Sequence, residues 1–161
     1  MKKKLSIILI LFIFVLSGCV KNENSQKSQA NAILDEMIIA LEDNDTQTIK
    51  SMFSTKVQET LGDELDEQIE EMTKYFEGDV VSYEKIRTVS GGESIDKGVL
   101  TYSSIGNAKS KKVMTDKDQY TISFSAILID DKKENEGIWR IWIGTSEDDY
   151  LIVGISDMPL S

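Results

Sequence analysis

The chain has no histidine, one cysteine and one proline in 161 residues. Without histidine there is no commonest general base, no imidazole to bind a metal, and no usual partner for a catalytic serine. A lone cysteine permits neither an internal disulfide nor a cysteine-ligated metal site. Phosphate-cradling motifs are missing as well: there is no GxGxxG and no P-loop. The acids do not fall in the alternating order, closed by glycine, that a calcium loop requires. The expectation is a protein with no metal, no cofactor and no legible catalytic residues. Positive charge is also scarce. Lys and Arg number 18 against 28 Asp and Glu, a formal charge of −10. Such a domain repels the phosphates of nucleic acids, which argues against a nucleic-acid partner.

What is present begins with Met1-Lys2-Lys3-Lys4, followed by an apolar run over residues 5–16 broken only by Ser6. Ser17, Gly18 and Cys19 come next. A basic start, a short apolar stretch and a small-residue cleavage zone make a signal peptide. The run falls short of the roughly 20 residues that span a bilayer. The tetrapeptide Leu16-Ser17-Gly18-Cys19 resembles the lipobox of bacterial lipoproteins. That resemblance implies lipid on the Cys19 sulfur, removal of residues 1–18, and a domain anchored outside the inner compartment of the cell. Each buried acyl methylene adds about 0.8 kcal/mol, so several chains hold firmly where one holds marginally. Losing the three leader lysines takes the formal charge to −13 and leaves 143 residues, one domain of ordinary size. Val20 is not Asp, so no inner-membrane retention signal is visible.

Residues 19–29 are polar and without period, and read as a tether. From Ala30 the pattern turns helical: Ala30, Ile33, Leu34, Met37, Ile38 and Leu41 recur at steps of three and four. Asn44 or Asp45 can cap a second short helix carrying Ile49, Met52 and Phe53. A helical turn over 54–61 ends at Gly62. Asp63 can cap a further helix with Leu65, Ile69, Met72 and Phe76 on one face and Glu64, Asp66, Glu67, Glu70 and Glu71 on the others. Gly78 is expected at its C′ position. Strand patterns follow: residues 80–89, interrupted by Ser90-Gly91-Gly92; 99–105 and 111–115, flanking a Gly106-Asn107 turn; and 119–130. In the last, Tyr120, Ile122, Phe124, Ala126 and Leu128 alternate with Thr121, Ser123 and Ser125. A charged loop over 130–137 separates it from strands at 138–145 and 150–155. Helices first and antiparallel strands second argue for an α+β fold with amino-terminal helices packed on a curved antiparallel sheet. The division is 1–18 signal peptide, 19–29 tether, 30–157 a single domain and 158–161 a tail.

Residues 30–34 and 40–45, ending in Met52-Phe53-Ser54, resemble the opening helices of cone-shaped nuclear-transport-factor-2-like domains. Asp66-Glu67-Gln68-Ile69, Phe76 to Tyr83 and Thr115 to Tyr120 resemble an uncharacterised family of bacterial lipoproteins, domain of unknown function 5104. The likeness spans roughly residues 30–157 and fits least well over 95–112. It implies a cone fold and an envelope location, and no known activity.

In a cone the sheet and helices enclose a pocket. Phe53, Phe76, Tyr83, Phe124, Trp139 and Trp142 are candidates for its lining or for an interaction surface, with Tyr102 and Tyr150 beside them; large aromatics in a small domain also commonly form core. Trp139 and Trp142 stand three apart, so a strand points them to opposite faces. The expected role is a membrane-tethered binding module for a small apolar ligand or a peptide. The alternative is an accessory subunit of an envelope complex, docking through the acidic helix or the back of the sheet. An isomerase- or dehydratase-type enzyme working with Asp and Tyr is disfavoured, since no acid–base pair is legible.

Overall fold

The computed structural model describes residues 25–156. Residues 1–24, with the expected signal peptide, Cys19 and part of the expected tether, and residues 157–161, with the expected tail, lie outside them. Four helices come first: α1 Ser25–Glu42, α2 Thr46–Met52, α3 Thr55–Leu61 and α4 Asp63–Tyr75. Six strands follow: β1 Val80–Tyr83, β2 Val89–Asp96, β3 Val99–Thr115, β4 Gln119–Ile129, β5 Gly137–Gly144 and β6 Tyr150–Gly154. All the strand pairs are antiparallel, in the order β1-β3-β4-β5-β6, with β2 also paired to β3. The fold is α+β, with the amino-terminal helices packed on a curved antiparallel sheet.

The helical stripes do the packing. Ala30, Leu34, Met37, Ile38 and Leu41 of α1 and Leu65, Ile69 and Met72 of α4 are buried, as are Ile49 and Phe53. They meet the inner face of the sheet: Ile105 and Ala108 of β3, Tyr120, Ile122 and Phe124 of β4, and Ile141 and Ile143 of β5. Asp45 caps α2, its carboxylate accepting from the Thr48 N–H at 3.0 Å. Ser54 caps α3 through Val57 N–H. The short link between those helices is tied to the sheet. Ser54 N–H donates to the Ile138 carbonyl at 2.9 Å, and Phe53 bridges Ile138.

Several boundaries differ from the sequence reading. The first helix starts at Ser25 rather than Ala30, so residues 25–29 are its opening turn and not tether. Contacts to the sheet extend it: the Gln26 amide donates to Ser103 Oγ at 3.2 Å. Gly62, not Asp63, is the N-cap of α4, and Asp63 is its first residue. Gly78 lies beyond the C′ position, because the cap is Phe76. Its φ of +88° suits a close approach, since a Cβ there would meet Asp116 Oδ1 at 2.3 Å.

The two weak strands around Gly106-Asn107 are one 17-residue strand, β3. It is paired on one side by β1 and β2 and on the other by β4, and register shifts between Ile105 and Ala108 absorb the irregular stretch. Ser90-Gly91-Gly92 does not break β2 either. Gly91 instead lets two backbones come close: a Cβ there would sit 1.9 Å from the Ser104 carbonyl oxygen.

Candidate functional site

The site grows from the polar face of β4. Strand alternation turns Ser123 and Ser125 away from the helices because Ile122 and Phe124 face them. Register supplies the neighbours. Ser123 lies beside Lys109 of β3 and Trp142 of β5, and Ser125 lies beside Arg140. Trp142 in turn lies beside Ile152 of β6. With Asn107, these residues surround an open pocket of about 320 Å³ whose lining comes from β3, β4, β5 and β6 and from no described helix.

Trp142 is its aromatic wall. The indole stacks on Tyr150 with ring centroids 5.4 Å apart and planes 25° from parallel. The Lys109 ammonium stands 5.6 Å from the indole centroid. Arg140 lies 5.0 Å over the Trp139 ring, and its Nη1 donates to the Ser156 carbonyl at 3.1 Å. Tyr150 and Ile152 are 45% and 48% exposed, so a substantial apolar surface remains in water beside two cations. The Ser125 hydroxyl donates to the Gly106 carbonyl at 2.6 Å and is committed to the fold. Cations, an aromatic shelf and small polar groups equip the pocket to hold a ring or apolar group that carries negative charge. A second, more apolar cleft of about 230 Å³ opens between the first two helices and β4–β5, with Ile33, Met52, Leu128 and Ile138 in its walls and Glu36 among them.

The aromatics singled out in the sequence separate into three places. Phe53, Phe76, Phe124 and Trp139 are buried in the core at 2%, 5%, 2% and 6% exposure. Trp139 lies opposite no residue of β4, at a register shift, and its indole N–H is buried without a partner. Trp142 faces outward, as a spacing of three in a strand dictates, lines the pocket and stacks on Tyr150 beside it. Tyr83 is elsewhere, under α1, where its hydroxyl donates to Asp35 Oδ1 at 2.9 Å. Tyr102 is partly buried against the core. Cys19 lies outside the described residues.

Tyr83 and Asp35 are a phenol and a carboxylate in contact. Lys85 forms an ion pair with that carboxylate and engages both its oxygens. Burial, then the hydrogen bond to Asp35, raises the Tyr83 hydroxyl above its ordinary value of 10.0. The hydrogen bond to Asp35 likewise raises the Lys85 ammonium above 10.5. The Tyr83 hydroxyl thus stays protonated and Lys85 charged at neutral pH, an arrangement suited to fastening β1 and the chain after it to α1. Asn31 reinforces that fastening: Ile86 N–H donates to its Oδ1 at 2.8 Å, and its amide donates to the Ile86 carbonyl at 3.2 Å.

Sequence reasoning missed Lys109, Arg140 and Ile152. The signal that could have led there was the polar face of residues 119–130, since a strand buried on one face only offers its other side to something else.

Among the described residues no helix is long and apolar enough to cross a membrane. A comparison with curated proteins finds no match. A family model described as a domain of unknown function, DUF5104, matches residues 36–152. That span runs from within α1 to β6 and contains every residue of the outer pocket. With most of its length matched, this chain belongs to the DUF5104 family.

Proposed function

We propose that this protein is a lipid-anchored binding module of the bacterial cell envelope, taking a small apolar ligand or a peptide. The leader and the Leu16-Ser17-Gly18-Cys19 tetrapeptide support the anchor, with Cys19 as the lipidated residue. The order of helices and strands supports a nuclear-transport-factor-2-like cone. One observation carries the binding role: Trp142, outside the core cluster, lines a pocket with Lys109 and Arg140 and stacks on the exposed ring of Tyr150. Half-buried Trp142 with exposed Tyr150 and Ile152 makes a contiguous apolar patch rimmed by cations, the kind of surface that meets a ligand or partner. The ligand site in this reading is the outer pocket and not the interior of the cone, whose aromatics are packed against one another and against the helices.

Anilinonaphthalene sulfonate, an aromatic probe with one negative charge, tests the reading. Its fluorescence should rise saturably on the parent chain and on Trp139→Phe, and by no more than about a tenth as much on Trp142→Ala. Equal binding to Trp142→Ala and the parent would place the probe elsewhere and remove the proposal.

A further inference from the structure

We infer that the Trp142 pocket is one end of a longer basic groove that holds an extended acidic peptide segment of a partner protein. This rests on the reading of that pocket as the ligand site. The pocket does not end at Lys109. Asn107 and Lys109 also line an adjoining hollow that reaches Thr88, Ser90 and Lys111. Thr88, Lys109 and Lys111 in turn line a third hollow that reaches Arg87 and Lys85. The three spaces, about 320, 360 and 300 Å³, adjoin one another through these shared residues, and the proposed groove runs along them.

Charge along the trough opposes that of the chain. Arg140, Lys109, Lys111, Arg87 and Lys85 line it, with Glu84 the one acid among its lining residues. Only Lys85 of these cations has an ion-pair partner among the described residues, Asp35. Four cations with no acid partner among the described residues line these hollows, in a protein whose formal charge is −10. Holding like charges close together costs free energy unless an anion meets them.

Length selects the kind of anion. From β6 through β5, β4 and β3 to β2 there are four strand spacings of about 4.8 Å, or roughly 19 Å, which an extended peptide of about six residues spans. Its alternate side chains fall about 6.6 Å apart on one side, so acids at alternate positions can meet Arg140, Lys109 and the Lys111–Arg87 end in turn. An apolar or aromatic residue at one end would lie on Trp142. A long polyanion such as a nucleic acid would run past both ends of the trough and meet a chain whose formal charge is −10. A flat lipid surface cannot follow a trough. A short acidic segment fits both the length and the charge.

The test uses the full chain in detergent and a fluorescein-labelled hexapeptide of alternating glutamate and phenylalanine, read by anisotropy. Saturable binding is expected. It should weaken at least about tenfold when glutamine replaces every glutamate, and about fivefold or more in the Arg87→Gln/Lys111→Gln chain. Both residues are exposed, so the melting curve of that chain should match the parent's. Equal binding of the glutamate and glutamine peptides, or an unchanged affinity in the double variant, overturns the groove. Loss in Trp142→Ala alone would then leave the pocket standing by itself. No binding of the glutamate peptide also overturns the groove, while the naphthalene probe still judges the pocket. Tighter binding to phosphatidylglycerol vesicles or to single-stranded DNA than to the peptide overturns the choice of partner.

Discussion

Tyr120 shows how one side chain joins two halves of the fold. Its ring packs against Phe76 at 4.8 Å between centroids and edge-on against Tyr75 at 5.9 Å. Its hydroxyl accepts from Glu77 N–H at 2.9 Å and donates to the Tyr75 carbonyl at 3.1 Å. The end of α4 is therefore fastened to β4 by one atom. Tyr120→Phe keeps the ring and strands two backbone groups, so it should cost about 1–3 kcal/mol in urea unfolding at neutral pH. Burial first of all raises this hydroxyl above 10.0. Below that pH the group is neutral both folded and unfolded, and its contribution is complete. Above it the unfolded chain ionises first, and stability falls as the pH climbs toward the raised folded value. Tyr120→Phe should therefore lose less stability than the parent between pH 9 and pH 11, as urea midpoints would show. Lys85 has the same sign: its contribution is present below 10.5 and is lost as the pH rises through the raised value. That pair is exposed to solvent, so its share of the slope is small.

At the scale of elements, the joint between α2, α3 and β5 matters most. Gly137 opens β5 with φ of +128°, and a Cβ there would stand 2.6 Å from Ser54 N and 2.9 Å from Ser54 Cα. Both atoms are backbone and cannot swing aside. Gly137→Ala should cost at least about 2 kcal/mol, seen as a lower thermal midpoint, with the bond from Ser54 N–H to Ile138 the first casualty. The helical elements were legible because their stripes repeat within a single segment: Leu65, Ile69, Met72 and Phe76 were read as one face and are buried together. β3 was not legible as one strand. Gly106 and Asn107 have the local chemistry of a turn, but pairing to β2 and β4 on both sides outweighs that preference and holds the chain extended. Gly91 and Gly92 misled for a related reason. Glycine marks a close approach of backbones as readily as a turn, and only the position of Ser104 tells which.

For the whole molecule, the proposed working parts lie at opposite ends of the chain's chemistry: an apolar anchor at Cys19 and a basic, aromatic trough on an acidic domain. Cys19→Ala separates them. It should abolish incorporation of labelled palmitate and move the protein from the membrane to the aqueous fraction, with the circular dichroism of the domain unchanged. Membrane retention together with palmitate uptake in Cys19→Ala would sink the anchor. The trough also accounts for how an acidic protein can attract an acidic segment. At physiological salt, charges interact over only about 8 Å, so a ligand in the groove responds to Lys109, Lys111 and Arg140 more than to the distant acids of α4.

The sequence by itself determined the helix-first order and the buried faces of α1, α4 and β4, and it carries the lipobox-like tetrapeptide on which the anchor proposal rests. Each of these depends on residues near one another in the chain, where period and composition are set. The tertiary structure alone decided that Trp139 joins the core while Trp142 meets Tyr150, and that Arg87, Lys109, Lys111 and Arg140 line one face. Those residues come from β3, β5 and the segment before β2, and antiparallel register brings them together. Register is a relation between strands, fixed by turns, bulges and the burial of opposite faces, and no single stretch of sequence contains it.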